Sequence, residues 1–245
     1  MKLIYFFFLL SFLVILSCHK ESVTTNTSDQ GQGGSLARFT VAGDYLYTVE
    51  MDKLHVFDIK NEQNPTKVYD VDLLWGVETI FAEPPYLFLG TRTGVKILSI
   101  INPGKPVYIS EFIHIYSCDP VVVNGNIAYS TLNSFGACGR GLNQLDIIDI
   151  SDIYTPQLIK SIQLTNPKGL GTNGNVLFVC NNGLEVYDIT DKQNPQLIIK
   201  TAISAEDVIP LDTILLVGAT DGLYQYAYNQ NFEFELLSKL FSIDQ

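Results

Sequence analysis

A motif of 15 residues recurs along this chain and limits what it can fold into. The copies read LHVFDIKNEQNPTKV, VKILSIINPGKPVYI, LDIIDISDIYTPQLI and LEVYDITDKQNPQLI, and they begin at Leu54, Val95, Leu145 and Leu184. Their prolines, separated by 41, 50 and 39 residues, are Pro65, Pro106, Pro156 and Pro195. A period near 40 residues is typical of repeat architectures in which one supersecondary unit stacks on the next.

Each repeat contains four short strand-like runs, which in the first repeat are ARFTVAG, YLYTVE, LHVFDI and TKVYDV. A fifth, degenerate repeat reads DVIPL, ILLVGA, LYQYAY and FELLSKL. Val, Ile, Leu, Tyr and Phe occupy both parities of these runs, which indicates that both faces of each small sheet are buried. We therefore predict an all-β, five-bladed β-propeller. The last repeat has four strands of its own, so we expect side-chain packing, not a strand shared between the termini, to close the ring.

The aspartate and proline of the motif are explained by turn chemistry. Asp58, Asp149 and Asp188 end the third strand, where a short carboxylate accepts backbone N–H groups of the following turn. The proline ends that turn because it fixes φ and donates no hydrogen bond where an outer strand begins. Ser99 and Ala227 replace the aspartate in two repeats, which favours this structural interpretation over calcium binding.

The N-terminus has the pattern of an export signal. Lys2 precedes an uncharged run over residues 3–15, which is shorter than the roughly 20 residues that span a bilayer. The run ends in Ser17-Cys18, which resembles the lipobox of bacterial lipoproteins, where the cysteine is diacylated and becomes the new N-terminus. We predict a signal peptide over 1–17, a lipidated Cys18 with a flexible tether over 18–34, and a propeller over 35–245.

The repeats resemble the LVIVD repeat family over residues 35 to about 243. The resemblance is carried by the apolar-Asp-Ile-turn-Pro motifs and by RFTVAGDYLY, SCDPVVV, NQLDIIDIS, NPKGLG and DVIPLD between them. It implies an envelope propeller on a lipoprotein tether, in a family whose molecular role is largely unassigned. His19 after the cysteine is not the aspartate that retains some lipoproteins at the inner membrane, so we expect the outer membrane, on either its periplasmic or its external side.

Propeller topology assigns loops to two faces. The links between blades share one face, here called the link face, with the loops between second and third strands, while the Asn-Pro turns occupy the opposite turn face. A ring of charged residues begins the innermost strands at the link face, and it comprises Arg38, Glu78, Asp119, Lys168 and Asp207. These charges either pair with one another or form a site, in which Arg38 and Lys168 hold an anion or the three carboxylates hold a cation such as Ca²⁺.

The link face also carries aromatic and cysteine candidates. Cys118 and Cys138 fall on this face, and in an oxidising envelope a disulfide between them would stabilise the domain by about 3 kcal/mol, with metal binding as the lesser alternative. The aromatic candidates, which could stack on a sugar or a protein partner or pack between blades, are Trp75, Tyr116 and Phe135. Cys180 aligns with small or β-branched residues of other second strands, and we expect it to be buried.

Charge and motif content restrict the function classes. A net charge of −11 opposes nucleic acid and anionic lipid surfaces, so the lipid anchor is the expected route to a membrane. No nucleophile elbow, phosphate loop or metal motif occurs, and no cofactor or resident metal is implied. We predict a non-catalytic module that binds an envelope protein. Two alternatives stay open: glycan or small-ligand binding at the channel mouth, and a glycoside hydrolase using Glu78 with Asp119 or Glu206 with Asp207.

Overall fold

The structure, a computed structural model, describes residues 30–31, 33–74, 76–114, 120–134 and 142–241. It confirms the all-β class and the five-bladed propeller, because the described strands form five antiparallel sheets in chain order. Within these residues, no helix has the length and apolar character needed to cross a bilayer.

Each blade consists of four sequential strands, and blade 1 has an additional inner strand. Blade 1 contains β1 (Gln30–Gly31), β2 (Phe39–Ala42), β3 (Tyr45–Val49), β4 (Lys53–Asp58) and β5 (Thr66–Asp72). Blade 2 contains β6 (Val77–Glu83), β7 (Tyr86–Thr91), β8 (Gly94–Ser99) and β9 (Val107–Ile113). Blade 3 contains β10 (Val121–Asn124), β11 (Ile127–Leu132), β12 (Gln144–Asp149) and β13 (Gln157–Gln163). Blade 4 contains β14 (Pro167–Asn173), β15 (Val176–Asn181), β16 (Leu184–Asp188) and β17 (Gln196–Thr201). Blade 5 contains β18 (Asp207–Leu211), β19 (Ile214–Ala219), β20 (Gly222–Tyr228) and β21 (Phe234–Phe241).

The turns after the third strands have the hydrogen bonds that the motif predicts. The carboxylate of Asp58 accepts the N–H of Lys60 at 2.9 Å, and that of Asp188 accepts the N–H of Thr190 at 2.7 Å. Asp149 makes the same contact at 2.8 Å. The hydroxyl oxygen of Ser99 accepts the equivalent N–H at 3.3 Å, so the serine preserves the turn contact of the aspartate it replaces.

Apolar core clusters lie between successive blades. Tyr47 and Leu87 belong to the cluster between blades 1 and 2, and Phe88 and Val121 to that between blades 2 and 3. Two further clusters join blade 3 to blade 4 and blade 4 to blade 5, and they include Tyr129 with Leu177 and Phe178 with Val217. Among the described residues, none of these clusters joins blade 5 to blade 1.

The boundary between blade 5 and blade 1, here called the seam, is therefore exposed. Leu54 and Leu184, which begin the repeat motif in blades 1 and 4, are fully buried against the following blade. Leu223 holds the matching position in blade 5 and is 43% exposed. Gln225 follows it where the other blades have Val or Ile. No described strand is shared across the seam, and none of the core clusters of described residues spans it.

The N-terminal segment contributes to the ring from inside the channel. Gln30 and Gly31, which the sequence assigns to the tether, pair antiparallel with β2 so that Gln30 lies opposite Ala42. Ala42 is at the turn-face end of β2, and the chain therefore rises through the channel toward the link face. The next described residues, 33–37, cross the channel mouth, and we call them the strap.

Candidate functional site

The link face is assembled as the topology predicts. The link between blades 1 and 2 reaches the second-to-third loop of blade 1, because the N–H of Gly76 donates to the carbonyl of Met51 at 2.9 Å. The carbonyl of Gly76 in turn accepts the N–H of Arg92, in the equivalent loop of blade 2, at 3.0 Å. Links and second-to-third loops therefore form one continuous surface.

Three described members of the charged ring, Glu78, Lys168 and Asp207, have partners outside the ring. Glu78 accepts a hydrogen bond from Arg92 Nε at 2.9 Å. Lys168 forms an ion pair with Glu206. Arg38 is exposed. Asp119, the remaining member of the ring, lies outside the described residues.

Asp207 is held by the strap. Its two carboxylate oxygens accept hydrogen bonds from Ser35 Oγ at 3.0 Å and from the N–H of Leu36 at 3.1 Å. The Ser35 hydroxyl also accepts the N–H of Leu170 from blade 4 at 2.8 Å. Burial raises the pKa of Asp207, although these donors oppose the shift. A side chain at Gly34 would overlap the Asp207 carboxylate, so the strap passes directly over it.

A polar pocket of about 310 Å³ opens on the link face between blades 4 and 5. The Lys168–Glu206 pair lines it together with Asn166 and Asn182. The backbone of Asn166 is fixed by the buried Asn181, whose side-chain oxygen accepts the N–H groups of Thr165 and Asn166 at 3.0 and 2.8 Å. The pocket presents paired charges and amides to solvent.

A second pocket of about 550 Å³ adjoins the first, because Ala202 and Ser204 line both. Its other lining residues include Asp221, Tyr224 and Tyr226, none of which belongs to the predicted site residues. A signal was present in the sequence. Tyr224 occupies the repeat position that is polar or charged in every other blade, where the residues are His55, Lys96, Asp146 and Glu185.

Exposed apolar side chains lie on the link face of blades 1 and 2 and in the strap. The exposed fraction is 80% for Leu74 and 67% for Ile113. Leu36 in the strap and Met51 in the first blade are 41% and 44% exposed. We call these four residues the apolar patch. Such side chains on loops of a rigid scaffold are suited to contact with another macromolecule.

Several predicted features lie outside the described residues, and they remain predictions. These are the signal peptide, the lipidated Cys18, the Cys118–Cys138 disulfide, and the candidates Trp75, Tyr116, Asp119 and Phe135. Cys180 is buried and unpaired, as expected. In the part of the chain that the structure describes, no group of three or more His, Cys, Asp or Glu side chains is placed to hold a metal ion.

Comparisons with known proteins agree with this architecture. The model of the LVIVD repeat matches residues 33–72 and 139–163. No curated protein matches the chain. A functionally unknown protein from Desulfotomaculum acetoxidans is similar in structure, with a TM-score of 0.64 and 13% identity over 88% of this chain and 70% of that one. A protein from Lactobacillus plantarum has a TM-score of 0.62 and 16% identity over 82% and 67% of the two chains.

A periplasmic gluconolactonase from Pseudomonas aeruginosa is also similar, with a TM-score of 0.60 and 14% identity over 83% of this chain and 67% of that one. At such identities the likeness extends to the fold and not to the activity. The repeat match and the five-bladed propeller together support the LVIVD repeat family for this chain.

Proposed function

We propose that the protein is a lipid-anchored, non-catalytic module of the cell envelope that docks another envelope protein on its link face. The observation that carries this proposal is the apolar patch on a surface of rigidly held loops. Burying exposed large apolar side chains at the centre of a contact is the main source of affinity between proteins. Propellers offer such loop surfaces on both faces, but only the link face combines this patch with the charged mouth.

The state of the carboxylates supports binding over hydrolysis. A glycosidase needs one free carboxylate and one protonated carboxyl about 5 to 10 Å apart. Glu206 is engaged by Lys168, and Asp207 lies beneath the strap. Glu78 is paired with Arg92. These contacts favour a docking surface with fixed charge positions.

A crosslinked pull-down from intact cells tests the docking surface. We expect Leu74→Asn to abolish recovery of a specific envelope protein, because it removes the most exposed apolar side chain of the patch. Leu74 has φ of 48°, a conformation that asparagine tolerates well, so the fold should be preserved. The matched control is Ile101→Asn on the turn face, where Ile101 is 78% exposed. Equal recovery by both variants would contradict the proposed surface.

The lipid anchor has a separate test. Cys18→Ala should move the protein from the membrane fraction to the soluble fraction and should abolish incorporation of a labelled fatty acid. Cys180→Ala is the control, since it removes an unpaired thiol without touching the anchor. Membrane association that survives Cys18→Ala would contradict lipid anchoring and would leave the docking surface to be judged by the pull-down.

A further inference from the structure

We propose that the larger pocket between blades 4 and 5 is a binding site for a neutral saccharide. The pocket lies on the link face between blades 4 and 5. This inference goes beyond the docking function. It rests on a local departure from the repeat, on the pairing of two tyrosine rings, and on the carboxylate next to them.

The pocket exists because blade 5 lacks a contact that closes the same position elsewhere. In blade 4, Glu185 on β16 accepts a hydrogen bond from Lys200 on β17 at 2.8 Å. Lys96 with Glu111 and Asp146 with Ser161 make the equivalent cross-strand contacts in blades 2 and 3. Each pair fills the side of the blade that faces the preceding blade.

In blade 5 the paired positions are Tyr224 and Lys239. Lys239 does not close the position. Its ammonium group lies over the ring of Phe241, with Nζ 4.5 Å from the ring centroid. Tyr224 instead donates its hydroxyl to Asp221 at 2.6 Å, at the entrance of the pocket. The position that holds a cross-strand polar contact in blades 2, 3 and 4 is therefore lined in blade 5 by an aromatic residue without that contact.

The lining chemistry matches that of a sugar ring. The rings of Tyr224 and Tyr226 are nearly parallel, with an interplanar angle of 15° and centroids 6.4 Å apart. Tyr226 is fixed from behind by an edge-to-face contact with Phe234. A sugar presents an apolar C–H face that packs on aromatic rings and hydroxyl groups that need polar partners. The Asp221 carboxylate and the hydroxyls of Ser204 and Thr220 supply such partners.

The charge around the pocket favours neutral over acidic saccharides. A carboxylate at the entrance and a net charge of −11 disfavour acidic sugars. Volume sets the size, because about 550 Å³ accommodates one or two sugar units and the adjoining polar pocket extends the cleft. A neutral oligosaccharide is the ligand class that fits both limits.

Calorimetric titration of the detergent-solubilised full-length protein with maltotriose and with chitotriose tests the proposal. We expect saturable binding of at least one probe with a Kd of about 1 mM or below. Tyr224→Ala and Asp221→Ala should each weaken it about tenfold or more, while Tyr224→Phe, which keeps the ring and loses the bond to Asp221, should fall between. Thermal unfolding of each variant shows whether the fold is kept.

Tyr154→Ala is the matched control, because Tyr154 is 71% exposed on the turn face and lines neither pocket. Its binding should equal that of the unaltered protein. Absence of saturable heat with both probes at about 10 mM, or equal binding by every variant, overturns the saccharide site. The pull-down separates this failure from that of the docking function, since Tyr224→Ala should still recover the protein partner.

Discussion

Side-chain oxygens at the ends of the third strands show how a single residue stabilises a turn. The N–H of Ile101 reaches Ser99 Oγ at 3.3 Å, whereas the equivalent contacts to Asp58 and Asp188 are 2.9 and 2.7 Å. A charged acceptor also makes a stronger hydrogen bond than a hydroxyl. The hydrogen bond in the serine turn of blade 2 is therefore weaker than those in the aspartate turns.

Ser99→Asp should strengthen this turn. We expect thermal unfolding to shift upward by about 1 to 2 °C, which corresponds to roughly 0.5 kcal/mol for a domain of this size. Ser99→Ala should shift it downward, since the N–H of Ile101 then loses its side-chain acceptor. The upward shift should disappear at acid pH, where the new carboxylate is protonated. An increase that persists at low pH would indicate a cause other than the charged acceptor.

Asp207 gives the stability of the domain a distinct pH dependence. Burial raises its pKa above the ordinary value of 3.8, so the folded state opposes ionisation of this group. Its contribution to stability is therefore lost as pH rises from that ordinary value through the raised one. The asparagine in Asp207→Asn cannot ionise. The free energy of unfolding of the variant should therefore increase relative to that of wild type as pH rises from the ordinary pKa through the raised one.

Urea unfolding at a series of pH values measures this difference. Asp146 is also buried with a raised pKa, but it is present in both proteins and cancels in the comparison. A constant difference between Asp207→Asn and wild type across the interval would contradict the assignment.

Local sequence predicted the turn residues but not the environment of Asp207. The aspartate contacts in the turns join residues two positions apart, so the motif contains all the information. Ser35 and Asp207 are 172 positions apart, and their contact depends on how the strap crosses the mouth. A charge count at the mouth could not reveal that the charges would pair with residues outside the ring.

At the scale of elements, the second strands connect one blade to the turn of the next. Tyr129 on β11 is fully buried and donates its hydroxyl to the carbonyl of Lys192 at 2.7 Å. Phe88 and Phe178 occupy the same position in blades 2 and 4 and are also buried. The ring therefore fits this position with or without a hydroxyl, and the hydrogen bond is an addition to the packing.

Tyr129→Phe should accordingly cost about 1 kcal/mol, the net contribution of one hydrogen bond, with a small addition for the carbonyl left behind. Tyr154→Phe, at an exposed position, is the control and should have no effect. Urea unfolding measures both. A loss above about 3 kcal/mol would mean that the hydroxyl supports more than the contact with Lys192.

The strap stabilises the ring through one serine. Ser35→Ala removes a donor to Asp207 and an acceptor for the buried N–H of Leu170, and it should destabilise the domain by about 2 kcal/mol. Ser238→Ala is the control, because Ser238 is exposed and its hydroxyl contacts only Gln225 on the neighbouring strand. Thermal unfolding compares them, and equal midpoints would show that the strap does not hold blades 4 and 5.

Element boundaries were predictable wherever the hydrophobic pattern was strong. The four strands of each repeat follow from apolar runs separated by turn residues, and the structure has them where the motif predicts. The two-residue strand β1 was not predictable, because Gln30 and Gly31 lie in a polar segment without an apolar strand pattern. The saccharide pocket was visible only by comparing Tyr224 with its repeat counterparts.

At the scale of the whole molecule, the number of blades was predictable and the closure of the ring was not. Five repeats imply five blades, but each repeat was expected to bury both faces. Blade 5 departs from that expectation at Leu223 and Gln225, which hold positions occupied by buried apolar residues in the other blades. A polar residue at a core position is compatible with the repeat only where no following blade covers it.

The seam therefore predicts an uneven distribution of local stability. Strands β16 and β20 are both third strands, hydrogen-bonded on each side, and they differ mainly in whether a following blade packs against them. Backbone amides of β20 should exchange with deuterium at least about tenfold faster than those of β16. Local opening of β20 exposes less apolar surface to water and therefore costs less free energy. Mass spectrometry of peptides spanning the two strands measures the ratio. Equal protection would mean that blades 5 and 1 cover each other in solution, and the strap would then be an accessory to a closed ring.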